Sequence, residues 1–299
     1  MAGVVSLGEC MVEVSLAGSS RAVIGFAGDA FNTAVYLSRL GVPTAFATVL
    51  GDGDPFSAGV LALMAEEGVS AHLVTRVRGR LPGLYAIGRD DAGERSFFYW
   101  RGEAPVRQVF ETADLAALAA AIRQADLVYL TGVTLAVIGE TGRSTLLALL
   151  DDLRPPLAFD PNYRPQLWPS REAARAAMDA ILPRCRLISA SGADVEALWE
   201  RPLAETAAGW AKGGAQVIAR HADRSLELHL DGEVVGVSAP PPTEAVDTTG
   251  AGDAFNGAYL AGWLRGEPPA ACAVAGQTLA ARVIGFPGAI IAQDAMPAG

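Results

Sequence analysis

The chain has 299 residues, 51% of them hydrophobic, and a formal charge of −10 from 23 basic and 33 acidic side chains. That length and apolar content can bury a sizeable core, as one large domain or a main domain carrying a small insertion. The basic residues are scattered, which excludes the clustered positive footprint of a nucleic-acid binder but leaves room for an anionic small molecule at a few arginines.

The opening "MAGVVSLGEC" has no basic residue before Arg21 and no cleavage-site pattern, so no signal peptide is expected. No charge-free apolar run reaches the roughly 18 residues that a membrane span needs, so no membrane partner is expected either. Cys10, Cys185 and Cys272 are far apart and odd in number, with no Cys-x-x-Cys spacing. They point away from a metal or redox centre and toward a reducing cytoplasm.

Along the chain, short apolar runs alternate with segments of helical period, the pattern of βα units around a largely parallel sheet. Strands are predicted at "VVSLG", "TAFATVL", "DLVYLTG", "PLAFD", "RLISA" and "AQVIAR". Helices are predicted over Ala30–Leu40, Phe56–Glu67, Ala113–Gln124, Gly142–Leu153, Arg171–Ile181, Ala204–Lys212, Ala254–Leu264 and Ala270–Val283. The fold class is therefore α/β. Two places break the rhythm, about 12–25 and 83–101, where extended stretches contain no helix and "RDDAGER", with Gly93, reads as a polar turn. They fit a small antiparallel β-sheet beside a single main domain. Such a sheet serves either as a lid over a site or as an edge where two subunits pair into a homo-oligomer.

Near the C-terminus, "DTTGAGDAFNGAYLAG" (Asp247 to Gly262) sets two glycines in front of a helix. A helix N-terminus exposes unpaired N–H groups and a partial positive charge, so an anion is stabilised there without a cationic side chain. Glycine lets that backbone come close to the anion, and Asp253 falls in the first turn. A plain tight turn also explains two glycines.

The order of residues goes further. "DTTGAGDAFNGAYLAG" resembles the C-terminal signature of the ribokinase-like, phosphofructokinase-B type carbohydrate kinases, and "FAGDAFNTAVYLSRLG" (Phe26 to Gly41) resembles their N-terminal signature. The resemblance implies a doubly wound α/β fold, with a mostly parallel sheet flanked by helices and a small β lid. It implies Asp253 as the general base that takes the proton from the substrate hydroxyl, and Gly250, Ala251 and Gly252 as the anion hole. Phosphoryl transfer needs these parts: an oriented hydroxyl, in-line geometry and compensation of negative charge. No Gly-x4-Gly-Lys-Ser/Thr segment occurs, which disfavours a P-loop kinase, and no strand leads into the Gly-x-Gly-x-x-Gly of a dehydrogenase.

Within that family, "LGECMVEVS", "RLPGLYAIG", "GERSFFYWRGEAPVR", "DPNYRPQLW" and "PGAIIAQDAMP" resemble segments of the bacterial 2-keto-3-deoxygluconate kinases. Tyr99 and Arg101 alternate along a strand and share a face, and Arg164 follows "PLAFD", where open α/β sheets place ligands. The planar arginine fork suits the carboxylate that a sugar acid carries and a neutral sugar lacks. Taken singly, such arginines equally pair with acids such as Glu103 or lie at the surface. By resemblance, Gly28, Asp29 and Asn32 hold sugar hydroxyls, and Tyr85, Tyr99, Arg101 and Arg164 complete the pocket. The implied co-reactants are ATP and Mg2+. Ser191 and Asp194 occupy the family's Asn-x-x-Glu position, Thr248, Gly250 and Gly252 face the nucleotide phosphates, and Gly288 in "VIGFPGAI" fits a turn near the adenine. His221 stands where relatives carry a glycine. The alternatives are a fructokinase or ribokinase acting on a neutral sugar, and a sugar-acid-binding protein without catalysis.

Overall fold

A computed structural model describes residues 3–16, 21–89, 95–241 and 243–297. Its strands, in chain order, are β1 (Val4–Leu7), β2 (Met11–Leu16), β3 (Ala22–Ala27), β4 (Thr44–Asp52), β5 (Val74–Arg78), β6 (Leu84–Arg89), β7 (Arg95–Trp100), β8 (Leu127–Thr131), β9 (Leu157–Asp160), β10 (Leu187–Ser191), β11 (Gln216–Arg220), β12 (Leu226–Leu230) and β13 (Glu233–Val237). Nine of them form one sheet in the order β13-β12-β11-β10-β9-β8-β1-β4-β5. Pairing is parallel from β11 through β5, and antiparallel only at β11–β12 and β12–β13.

Side chains alternate across this sheet into two core layers. Val5, Leu7, Val128, Leu130, Ile188, Val217 and Ala219 belong to one layer. Their neighbours Val4, Leu127, Tyr129, Leu187 and Ile218 belong to the other. A strand buried on both faces must be apolar throughout, which is why the six predicted strands read as unbroken apolar runs. All six are present, and the predicted helices match to within a few residues at each end.

Three strands escape that reading. β5, "VTRVR", is the sheet's outer strand and carries arginines. β12 and β13 are joined by Asp231 and Gly232, both at positive φ (44° and 88°), the geometry of a tight primed hairpin.

The remaining strands form a second sheet in the order β3-β2-β6-β7. Its members fall within the two stretches that break the βα rhythm, but the expected purely antiparallel pairing is not what is found. β2 and β6 run parallel, whereas β2–β3 and β6–β7 are antiparallel. The cause lies in the large sheet. β2 and β6 follow β1 and β5, which share a direction, so two strands leaving the same edge of the molecule also share one. The "RDDAGER" turn around Gly93 lies outside the described residues.

The strand order reverses at β1, which has β4 on one side and β8 on the other. A topological switch point of this kind opens a crevice at the carboxyl ends of the strands. Two helices cross beside it, Asp29–Arg39 and Ala251–Leu264. They touch where Gly257 faces Tyr36: a β-carbon added at Gly257 would lie 2.6 Å from Cβ of Tyr36 and 3.4 Å from the Thr33 carbonyl.

In an open helix interior, replacing glycine by alanine stabilises by roughly 1 kcal/mol. Here the sign reverses. Gly257→Ala is expected to cost about 1–3 kcal/mol through overpacking at the helix crossing. Urea unfolding followed by circular dichroism reads the difference, and a gain in stability would show that the two helices can part freely.

Candidate active site

The crevice is a cavity of about 530 Å³ between the carboxyl edge of the large sheet and the small sheet. Gly28, Asp29, Asn32, Tyr85, Tyr99, Arg101, Arg164, Ser191, Asp194, Thr248, Gly250, Gly252 and Asp253 all line it. Residues up to 225 positions apart in the chain are thus brought to one space by the sheet order alone.

Its floor is the N-terminus of the Ala251–Leu264 helix. Gly250 caps this helix in the left-handed region (φ 75°), and a β-carbon there would fall 2.5 Å from the Ala289 carbonyl. Both constraints demand glycine. The Ala251 amide turns back to the Thr248 carbonyl at 3.3 Å, and Ala251 is not part of the cavity wall, unlike the expected trio of donors. The Gly252 amide has no partner among the described residues.

Asp253 is held from the opposite helix. Asn32 Nδ2 donates to its Oδ2 at 2.8 Å, while Asn32 Oδ1 accepts from the Gly28 amide at 3.2 Å. The two signature segments therefore meet through one side-chain pair. Burial pushes the Asp253 carboxyl up to about 8; the nearby Asp29 and Asp160 add to the rise, and the Asn32 bond and Arg164 oppose it. Beside it, Asp29 Oδ2 accepts from Asn162 Nδ2 at 2.6 Å, and Asn162 adopts the left-handed region at φ 33°.

Each arginine of the cavity meets a carboxylate. Arg101 pairs with Glu9, not Glu103, which is taken by Arg80. Glu9 is buried, its pKa raised by burial against the pull of Arg101, and its Oε1 and the Arg101 Nε have no hydrogen-bond partner among the described residues. Arg164 lies 3.5 Å from Asp194 and donates to the Tyr163 carbonyl. Arg220 binds Asp160 at 2.9 Å. Ser191 caps the Gly192–Trp199 helix and also donates to Asp194 at 2.7 Å; burial raises the Asp194 pKa. Tyr85, Phe97 and Tyr99 cluster along the cavity wall, with ring centres 5.9–6.5 Å apart, Phe97 and Tyr99 stacked and Tyr85 tilted against both.

Gly288 stands apart. It is not in the cavity wall but at a turn of φ 86°, where its amide donates to Asp247 Oδ2 at 2.6 Å. It braces the loop that leads into the helix N-terminus. His221 likewise lies outside the wall, 3.6 Å from Glu227. Sequence reasoning passed over Glu9, Asp160, Asn162 and Arg220. Three of them had a positional signal: Glu9, Asp160 and Arg220 end or follow predicted parallel strands, where such folds put ligands.

A half-buried carboxyl at a glycine-capped helix N-terminus, beneath a crevice at a switch point, is an arrangement suited to group transfer onto a hydroxyl. Comparison with known proteins agrees: residues 1–296 match the pfkB family carbohydrate kinases, and the chain belongs to that family. It is 38% identical over 306 residues to the 2-dehydro-3-deoxygluconokinase of Dickeya dadantii (strain 3937), covering 98% of this chain and 97% of that one. Among solved structures, the 2-dehydro-3-deoxygluconokinase of Thermotoga maritima superposes with a TM-score of 0.82 at 20% identity, over 97% and 94% of the two chains. A putative ribokinase II from E. coli, in complex with ATP and Mg2+, also superposes at 0.82 and 20% identity, over 97% and 95%. At those identities the two structures speak to the fold.

The Asp253 pKa carries a stability consequence with a definite sign. A carboxyl whose folded value is raised, here from 3.8 to about 8, disfavours folding as its charged form, so stability is lost as pH climbs between those values. Asp253→Asn keeps an acceptor for Asn32 and removes that charge. Its melting temperature relative to the parent is expected to rise from pH 5 to pH 9, by an effect on the order of a few kcal/mol at most. A difference that stays flat across this range would return Asp253 to an ordinary carboxylate.

Proposed function

We propose that this protein transfers the γ-phosphoryl group of ATP to the 6-hydroxyl of 2-keto-3-deoxygluconate, yielding 2-keto-3-deoxy-6-phosphogluconate. The observation that carries the reading is the Asn32–Asp253 pair, set at the glycine-capped helix N-terminus in the same cavity as Arg101 and Arg164. The name of the Dickeya dadantii relative supports the choice of substrate.

Asp253 takes the proton of the attacking hydroxyl. A carboxyl moved up to about 8 is a far stronger base than a solvated aspartate, and its value suits work near neutral pH. Asn32 orients it by occupying one oxygen. The N–H of Gly252 faces the negative charge that develops on the phosphoryl oxygens, at the positive end of the helix. Asp29, fixed by Asn162, accepts from sugar hydroxyls, and Gly28 and Asn32 lie beside it. Arg101 and Arg164 hold the sugar carboxylate, with Tyr85 and Tyr99 closing over the ring. Thr248, Gly250 and Gly252 face the phosphates of ATP.

Mg2+ neutralises phosphate charge when bound, and it keeps several waters, leaning on the phosphates more than on a protein cage. The residues fit that mode. No group of three metal-ligating side chains exists among the described residues, while the Asp194 carboxylate lines the cavity and would hold Mg2+ through water. The bound ATP and Mg2+ of the E. coli ribokinase II relative support this pairing of co-reactants.

One observation favours the second reading, a kinase of neutral sugars: Arg101 and Arg164 already face Glu9 and Asp194. A coupled ADP-release assay over 2-keto-3-deoxygluconate, its galactonate epimer, fructose and ribose decides between them. We expect the sugar acid to give the highest kcat/KM, Asp253→Asn to lower kcat about 10²–10⁴-fold, and Arg101→Ala to raise KM roughly ten- to hundredfold for the acid alone. Fructose as the best substrate, with Arg101→Ala changing both sugars equally, removes the acid.

The small sheet acts as the lid of the site within one kinase domain, and we place the protein in the cytoplasm, in keeping with three free, buried thiols. Among the described residues no helix is long and apolar enough to cross a membrane. The outward face of the lid carries Ile24, Phe98 and Trp100, exposed by 54%, 53% and 62%. An apolar patch of this kind on a sheet face is a pairing surface. Lid-to-lid association into a homo-oligomer covers it, and sedimentation at assay concentration should find a dimer or larger in the parent and a monomer in Phe98→Glu. A monomeric parent ends that proposal.

A further inference from the structure

Arg220, at the last position of β11, points its guanidinium at the start of the Ala251–Leu264 helix. A β-carbon added at Gly252 would lie 2.9 Å from Arg220 Nη1. The absence of a side chain at Gly252 therefore admits a cation as well as an anion. That location is electrostatically wrong for a cation on its own, since the helix N-terminus carries the positive end of the dipole. A guanidinium and a helix N-terminus stand together favourably only when a negative group is shared between them.

The protein's own carboxylates do not fill that position. Arg220 Nη2 donates to Asp160 Oδ2 at 2.9 Å and to the Ser189 carbonyl at 3.3 Å, both on the side of the neighbouring strands. Asp160 is further fixed by Asn256 Nδ2 at 2.7 Å and by the Asn162 amide at 3.0 Å. The guanidinium carbon lies 5.7 Å from the centre of the Phe255 ring. One edge of the fork is thus anchored. Nη1, which faces Gly252 and the cavity, takes part in neither bond, and Nε is buried with no hydrogen-bond partner.

We infer that Arg220 is a catalytic residue that donates from its free edge to the phosphoryl group in transit, opposite the Gly252 amide, with Asp160 as its positioning residue. This rests on the kinase reading and not on the identity of the sugar. In the step it serves, the sugar oxygen forms a bond to the γ-phosphorus and the bond from that phosphorus to the β–γ bridging oxygen breaks. The electron pair leaves with the nucleoside diphosphate, and the hydroxyl proton passes to Asp253. Negative charge on the three equatorial oxygens spreads as the group moves, and a fixed cation beside a helix N-terminus meets it without reorganising.

The test compares Arg220→Ala and Arg220→Gln with the parent. The glutamine keeps a donor for Asp160 and lacks the charge, so it serves if the alanine variant leaves Asp160 unpaired and does not fold. The expected result is a fall in kcat of about 10²–10³-fold, equal for every sugar the parent accepts, with the sugar KM unchanged. Added guanidinium ion should restore part of kcat to Arg220→Ala and none to Asp253→Asn. By calorimetry, ADP with aluminium fluoride and sugar should lose affinity in Arg220→Gln while ADP alone does not. A folded Arg220→Gln with parental kcat, or one altered in sugar KM alone, overturns the inference. A parent that turns over only neutral sugars overturns the sugar-acid reading and leaves Arg220 to be judged on those sugars.

Discussion

The hydrogen bond from Asn32 to Asp253 joins residues 221 positions apart and stands at the centre of this molecule's chemistry. It requires two helices to cross closely, which Gly257 permits against Tyr36. It requires the Ala251–Leu264 helix to begin at the cavity floor, which the left-handed Gly250 and the brace from Gly288 to Asp247 arrange. A buried carboxylate beside Asp29 and Asp160 is unfavourable by itself, and its raised pKa is the measure of that. The fold tolerates the cost because the same strain makes a base. This is the usual compromise between stability and activity at a functional site.

The electrostatics of the cavity follow one rule. Arg101 faces Glu9, Arg164 faces Asp194 and Arg220 faces Asp160. A protein of charge −10 thereby presents arginines to anionic ligands without leaving any of them bare. Binding an anion at such a place is an exchange of partners rather than the filling of a positive hole. The cost of exchange differs among the three. Arg164 is half exposed, so its pair is weak and easily shared. Arg101 and Glu9 are nearly dry, so breaking that pair without a replacement leaves a buried charge and is expensive.

Much of this was legible in the chain, for reasons that also explain what was not. Parallel strands buried on both faces have to be apolar, so β1, β4, β8, β9, β10 and β11 were visible as runs. β5 lies at the outer edge of the sheet, where Arg76 and Arg78 are tolerated beside Asp52, and no such run exists. The hairpin of β12 and β13 did leave a signal, the Asp231-Gly232 pair, which a strict search for alternating βα units overlooks. In the site, the glycines, Asp253, Asn32 and Arg164 were readable in the chain, whereas Glu9, Asp160 and Arg220, which also end or follow strands, were not singled out. Pairings were not, because nothing local tells Arg101 to choose Glu9 over Glu103, or Arg220 to choose Asp160. Those choices are made by the order of strands in the sheet. Gly288, expected at a turn near the adenine, lies outside the cavity wall, where its amide braces the loop through Asp247.

The chain crossings between the small sheet and the large one converge on Glu9. β1 leads into β2 through Glu9; β3 leaves through Gly28, whose missing side chain makes room for the Glu9 carbonyl. β6 is entered through Gly83, where a β-carbon would come 2.6 Å from Glu9 Oε1, and β7 exits through Arg101, the ion-pair partner of Glu9. All four chain crossings between the sheets therefore pack around one residue, Glu9, through its carbonyl or its buried carboxylate. The Arg101 guanidinium, paired with Glu9, lies at that junction. The aromatic rings of Tyr85, Phe97 and Tyr99 continue the cavity wall from there along β6 and β7. The geometry of the crossings thus sets a buried charge pair at the junction of the two sheets and aromatic rings beside it.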